Sequence, residues 1–403
     1  MTTTAARPAS TDSAWRSPAA SYYLLVAASA TLVLVGLAVV LSSSSIYSIG
    51  RADGNAYALF MVQVGALLLG LVALGVGSRM TITMWRRSAP WVLFISVILL
   101  IVVATVGIES GGNTAWIRVG LVTMQPAEIA KLGLALYLGV VLSNFRHELT
   151  SFKRIMVPGG IVTAGIIALV MVGRDMGTAV VVLLVAAAAY WVAGLPIRFF
   201  SIGVIVSGIA IAIMMREQES RMRRLLVWLA EDCDRQLECY QSTHGTWALA
   251  SGGLWGLGPG MSREKWGYLP AADNDFIYAI VGEEFGLIGT LLVLIAFAMI
   301  VIAVNRIVHR HRDPFVQITA AAIGAWIVGQ AAINIAVVVG LAPVTGVPLP
   351  LVSSGGSSLV MSLAAIGVLM AFARREPGAA EAFAARPSVI KRSLAVMSRS
   401  RRG

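Results

Sequence analysis

Beyond Glu264, the stretch SREKWGYLPAADNDFIYAIVGEEFG (262–286) sets four more carboxylates, Asp273, Asp275, Glu283 and Glu284, at the threshold of a long apolar run. A carboxylate can take a proton from a hydroxyl, or hold a hard divalent cation such as Mg²⁺ or Mn²⁺. Other polar residues stand in equally apolar surroundings. Arg118 precedes one run, and Glu128 and Lys131 open it one helical turn apart, where opposite charges pair. Arg174 and Asp175 interrupt a second run in GRDMG (173–177). Asn334 lies within a third, and SSGGSS (353–358), ending in Ser357 and Ser358, starts a fourth. Arg and Lys suit an anionic head such as a lipid-linked pyrophosphate. The four His residues, at 147, 244, 309 and 311, show no metal-ligand spacing. The absence of a phosphate-cradling glycine loop argues against a nucleotide-driven pump.

The elements that must position these groups are membrane helices. Hydrophobic residues make up 58% of the chain and charged ones 13%, and the mean hydropathy is +0.81. Apolar runs of about 20 residues match the hydrocarbon thickness of a bilayer. The fold class expected is therefore all-α and polytopic. The net charge of +11 sits in short loops and a tail, as in positive-inside topology with attraction to anionic lipid, and not as in nucleic-acid binding.

Runs near 21–43, 57–77, 91–108, 127–144, 198–214, 276–305, 314–341 and 351–373 give eight spans. The apolar region 157–195 is about twice a single span. Basic residues mark the loops holding Arg79, Arg86 and Arg87, then Arg146, Lys153 and Arg154, then Arg198, then Arg306, Arg310 and Arg312. If all are cytoplasmic, an even number of spans separates each neighbouring pair, so 157–195 is a hairpin turning at 173–177. That predicts ten transmembrane helices over 21–373 with both termini cytoplasmic. Residues 1–20 are expected to be a disordered cytoplasmic leader without a cleavable signal, and 374–403 a basic cytoplasmic tail. Segment 215–274 becomes the large extracytoplasmic loop. It carries both cysteines, Cys233 and Cys239, which can form a disulfide outside the membrane.

On this topology every unusual polar residue falls in the outer half of the bilayer. A charge within a span costs at least about 2.5–3.5 kcal/mol, so each is a functional candidate by default. Each also has a plainer explanation. Glu128 with Lys131 can be a structural pair, and Arg174 with Asp175 can stop two helices at the headgroups. Asp275 can be an N-cap. Trp247, Trp255 and Trp266 can be interfacial belt residues or platforms for sugar stacking. The Gly-Gly-Ser-Ser run can be close helix packing. All of these would have to hold together on one face.

Four motifs in order resemble the SEDS family of bacterial wall synthesis, the FtsW/RodA proteins. They are WIRVGLVTMQPAEIAKLGL (116–134), GRDMGTAVV (173–181), LPAADNDFIYAIVGEEFGLIG (269–289) and GLAPVTGVPLPLVSSGGSSL (340–359). The opening SYYLLVAASATLVLVGLAVVLSSSSIYS (21–48) is similar to the division-type branch, especially its actinobacterial members. The resemblance covers roughly residues 20–375 and implies a peptidoglycan glycosyltransferase. Such an enzyme polymerises lipid II at the outer face of the cytoplasmic membrane, at the septum, with a class B penicillin-binding protein and other divisome proteins as partners. It further implies that Asp275 is the essential carboxylate acting on the acceptor 4-hydroxyl of lipid II. Arg118, Lys131 and Arg174 become candidates to neutralise the pyrophosphate of the lipid-linked glycan, with Glu128 orienting Lys131. Lys265 matches a family lysine, and Asp175, Asn334, Ser357 and Ser358 fall in family motifs. This sequence departs from the pattern at Ala115, where Arg is usual, at Glu264, where Gln is usual, and at Ser354, where Tyr is usual. A lipid II flippase, an elongation-type polymerase and a non-enzymatic scaffold are the competing expectations.

Overall fold

The computed structural model describes residues 17–51, 54–110, 113–119, 122–145, 152–203 and 239–384, together with isolated positions between 205 and 234. Eight of its helices are long and apolar enough to cross a membrane. In chain order these are α1 (Ala20–Arg51), α2 (Ala58–Arg79), α3 (Ile82–Val106), α4 (Pro126–Asn144), α6 (Met176–Ala193), α8 (Ile277–Arg310), α9 (Pro314–Val338) and α10 (Gly356–Ala373). Helix α5 (Phe152–Val172) precedes α6 and forms the first arm of the expected hairpin. The region 198–214 lies largely outside the described residues.

Local chemistry sets the helix ends. Pro126 and Pro314 occupy first-turn positions, where a missing N–H costs nothing. Thr81, Asp175 and Asp313 cap α3, α6 and α9 by accepting backbone N–H bonds. Helix α6 stops at Gly194, whose φ of 90° is the left-handed C-terminal geometry glycine favours. Helix α8 is broken at Gly286 (φ 64°, ψ −160°). The break opens a seat for residues 253–258: Leu257 and Gly258 donate to the carbonyls of Glu283 and Glu284, and Leu287 donates to that of Gly253.

Helices α4 and α10 lie in the middle of the bundle, while α2 and α3 turn most of their surface outward. Helix α10 packs on α2, α4 on α3, α8 on α1, and α9 on α6, α8 and α4. The chain departs from a purely helical plan between α3 and α4. There, β1 (Ile108–Ser110), β2 (Asn113–Val119) and β3 (Val122–Met124) form an antiparallel sheet in the order 1-2-3. Two further helices, α7 (Tyr240–Gly252) and α11 (Ala379–Ala384), complete the described elements with a short 3₁₀ turn at Glu264–Trp266.

The two ends of the bundle differ. One end gathers basic residues: Arg86 pairs with Asp313 at 2.7 Å, Arg306 donates to Ser17 and Ser21, Arg310 faces Glu376 at 3.6 Å, and Arg374 stacks on Tyr22. The opposite end carries the sheet, the α5–α6 turn, the segment 262–276 and the segment 340–355.

Candidate functional site

Segment 340–355, which joins α9 to α10, is the hub of that opposite end. Asn334, on the last turns of α9, donates through its single Nδ2 to the carbonyls of both Asp275 and Val347, at 2.7 Å each. Ser353 Oγ donates to the carbonyl of Asn274 and accepts from Leu349 N–H, and Ser354 N–H donates to the carbonyl of Asp273. Gln63 on α2 brackets the same segment, donating to Ser353 O and accepting from Gly355 N–H. Asp275 is thus held by its backbone; its side chain, half-buried with Oδ1 enclosed, lies at this end, or rim, of the bundle. Gly346 (φ 71°) sits opposite it, and a Cβ there would lie 3.7 Å from Asp275 Oδ2. Helix α8 starts at Ile277 with Phe276 at the cap position and no side-chain cap bond, so Asp275 does not serve as the N-cap.

A second cluster adjoins from the α5–α6 turn. Asp175 caps α6 through Thr178 N–H (2.9 Å), accepts from Thr178 Oγ1 (2.7 Å) and accepts from Gln125 Nε2 (2.8 Å). Gln125 N–H donates to Ser357 Oγ at 3.3 Å, and Ser358 is buried beside it on α10. Gly177 lets this turn close on the hub, because a Cβ there would stand 2.8 Å from Thr345 O. Arg174 is exposed in the turn at φ 61°, and Thr114 N–H from β2 donates to Gly173 O. Arg118 lies further along β2 with its side chain exposed.

A third cluster is wholly buried. Lys131 Nζ donates to Glu128 Oε1 at 2.9 Å and to Gln330 Oε1 at 2.8 Å, and stands 4.8 Å from the Trp326 ring. Gln330 reaches on to the hub through Pro348 O.

Lys265 belongs elsewhere. It is buried, and its ammonium donates to Ser42 Oγ and Gly260 O at 2.6 Å each and faces Glu284 Oε1 at 3.4 Å. Glu283 accepts from Ser262 Oγ and from the N–H groups of Arg263 and Glu264. Both glutamates therefore fix the segment 260–265 to the break in α8. Glu264, one of the three departures from the family pattern, meets His244 Nδ1 at 2.6 Å, and His244 is ringed by Tyr240, Trp247 and Tyr268. Trp247, Trp255 and Trp266 are all exposed. Cys239 is disulfide-bonded, and Cys233 lies outside the described residues.

The sequence marks Asp275, Asn334, Glu128, Lys131, Asp175 and the serine run that begins at Ser353, but not Gln125, Gln330 and Trp326 among the side chains that join them. Gln330 had a legible signal, standing one turn before Asn334 on the same face of α9. Among the described residues no three His, Cys, Asp or Glu side chains come together as a metal site. Mg²⁺ is commonly held by one or two carboxylates together with substrate phosphates, and the Asp275 carboxylate at the rim fits that mode.

Apolar helices enclosing buried, hydrogen-bonded charges define a polytopic helical membrane protein. The profile of the cell cycle proteins FtsW, RodA and SpoVE matches residues 22–377, and the chain belongs to this family. It is 37% identical over 395 residues to the probable peptidoglycan glycosyltransferase FtsW of Mycobacterium tuberculosis, covering 96% of this chain and 75% of that one. It is 33% identical over 356 residues to stage V sporulation protein E of Bacillus subtilis, covering 87% and 96%. Among solved structures, the rod shape determining protein RodA of Thermus thermophilus superposes with a TM-score of 0.62 at 26% identity, covering 87% and 96%. A chain from a peptidoglycan synthase complex shares the fold with a TM-score of 0.70 at 24% identity, covering 87% and 97%.

Proposed function

We propose that this chain is a peptidoglycan glycosyltransferase of the division type, polymerising lipid II at the outer face of the cytoplasmic membrane. The observation that carries the reading is Asp275, a carboxylate at the rim whose peptide is fixed by Asn334. The sequence likeness to relatives named FtsW supplies the class of reaction.

In this reading the acceptor 4-hydroxyl of lipid II gives its proton to Asp275 as its oxygen attacks the anomeric carbon of the lipid-linked chain. One C–O bond forms, the bond to pyrophosphate breaks with inversion, and the undecaprenyl pyrophosphate leaves with the bonding pair. Arg118 and Arg174, both exposed on segments joined at Thr114 and Gly173, would meet the anionic leaving group in this reading. Lys131, buried and oriented by Glu128, adds a further positive charge. A Mg²⁺ or Mn²⁺ ion shared by Asp275 and the pyrophosphate would add to that charge neutralisation.

The topology that goes with this function has ten spans and both termini cytoplasmic. The basic end then faces the cytoplasm, and 215–274, with a Cys233–Cys239 disulfide, lies outside. A class B penicillin-binding protein and other divisome proteins are the partners, at the septum.

The test is reconstitution with lipid II and the cognate class B partner, comparing wild type with Asp275→Asn. Glycan strands from wild type and none from the variant are expected. Strands from Asp275→Asn at the wild-type rate would remove the carboxylate from the mechanism. Scrambling of lipid II between leaflets without polymer from either protein would replace the polymerase by a flippase.

A further inference from the structure

We infer that Gln330, outside the motifs that carry the family resemblance, is a positioning residue that sets Asp275 and Lys131 relative to each other. The inference rests on the polymerase reading above. Gln330 is buried, and its amide orientation is fixed by its neighbours. Lys131 Nζ and Trp326 Nε1, at 2.8 and 3.0 Å, can only donate, so the amide oxygen must face both. The amide nitrogen then points the other way and donates to Pro348 O at 2.9 Å. The amide thus serves as acceptor on one side and donor on the other at once.

The geometry continues one turn along α9. Trp326, Gln330 and Asn334 stand at intervals of four on one helix face. Gln330 ties the Lys131 ammonium to Pro348, and Asn334 ties Val347 to the Asp275 peptide. Pro348 and Val347 are adjacent, so the two amides clamp one short piece of backbone between the buried ion pair and the rim carboxylate. A shift of Pro348 moves Val347, and with it the bond that places Asp275.

Two substitutions separate this role from simple packing. Gln330→Glu keeps an acceptor for Lys131 and Trp326 but turns a carboxylate oxygen towards Pro348 O. Gln330→Met keeps the bulk and removes both bonds. The assay is polymerisation of lipid II by the full chain with its partner, giving kcat and KM per folded molecule.

The expected result is a KM within about threefold of wild type and a kcat lowered roughly 10–100-fold for Gln330→Glu. That is the scale on which about 1 Å of misplacement acts on a reacting group. Gln330→Met stands in if the glutamate variant does not fold. Wild-type kcat in either folded variant overturns the inference, as does failure of both to fold, which would make Gln330 a folding residue. Absence of polymer from wild type would refute the polymerase reading, and this inference with it.

Discussion

Glu128 and Lys131 are unequal partners, and the inequality can be measured. Both side chains are 2% exposed, with 2.9 Å between Nζ and Oε1. Lys131 also has Gln330 Oε1 at 2.8 Å and the Trp326 face at 4.8 Å. Glu128 has no such reserve: its Oε2 is buried with no hydrogen-bond partner among the described residues. Removing one member of a buried ion pair costs about 3–5 kcal/mol, because the other charge stays buried and uncompensated. Glu128→Gln leaves Lys131 two contacts, one of them a cation–π contact of about 0.5–2 kcal/mol, so its cost falls near the low end, about 3 kcal/mol. Lys131→Met strands the carboxylate and falls near the high end, about 5 kcal/mol. The double variant removes both charges, and burying neutral groups of similar volume in place of a pair is often close to neutral. Its cost is therefore expected to lie below that of either single variant. The assay is reversible unfolding in mixed micelles by denaturing detergent, run as a double-mutant cycle. Equal costs for the two single variants would refute the asymmetry. A double variant costing the sum, about 8 kcal/mol, would refute the buried pair itself.

Gly177→Ala places a Cβ 2.8 Å from Thr345 O and 2.5 Å from a Val347 methyl, so the α5–α6 turn and the hub must separate. Its polymerisation rate is expected to fall at least about tenfold while the folded yield stays high; an unchanged rate would show that the hub is not held from this side. At the basic end, burial lowers the His311 pKa against opposing contributions from Phe372 O and Asp313, and raises that of Glu376 against Ser21, Arg310 and Arg306. For His311 the linked stability is present above its ordinary value near 6.5 and is lost as pH falls through the depressed value. For Glu376 the stability is complete below its ordinary value and is lost as pH rises through the raised one. His311→Gln, which keeps a donor for Phe372 O, is expected to flatten the acid limb of melting temperature against pH. An acid limb identical to wild type would refute the assignment.

Much of this architecture is legible in sequence because apolar solvent makes polar exceptions conspicuous. Asp275, Glu128, Lys131 and Asp175 stand out by charge alone, and GRDMG breaks an apolar run at the turn observed between α5 and α6. Gln330 carries no charge and stands outside the family motifs, so its one signal is its spacing of four from Asn334 on α9. The sheet at 108–124 leaves no signature in sequence, since strands of three and seven residues are too short for periodicity to declare. The family motif marks Lys265 without showing where its side chain goes. Loop residues have no period from which to infer direction, and only the break at Gly286 shows why its ammonium turns to Ser42 and Glu284.

The backbone supplies an independent reason to place the chemistry at the hub. Among the described residues, three non-glycine residues adopt left-handed φ: Arg174 (61°), Ala271 (52°) and Leu351 (66°). Each such residue costs on the order of 1–3 kcal/mol and persists only where its surroundings over-determine it. Arg174 lies in the turn that Gly177 presses against Thr345. Ala271 accepts from the N–H groups of Asn274 and Phe276, closing the bend that presents Asp275. Leu351 lies between Leu349 and Ser353, which bond each other through both the Leu349 N–H and the Leu349 carbonyl. These three strained positions are far apart in sequence: Leu351 lies within segment 340–355, and the other two lie in segments packed against it. Packing alone would let such strain relax one segment at a time. Its coincidence around Asp275 fits a site whose geometry is held fixed before substrate arrives, as electrostatic stabilisation of a departing pyrophosphate requires.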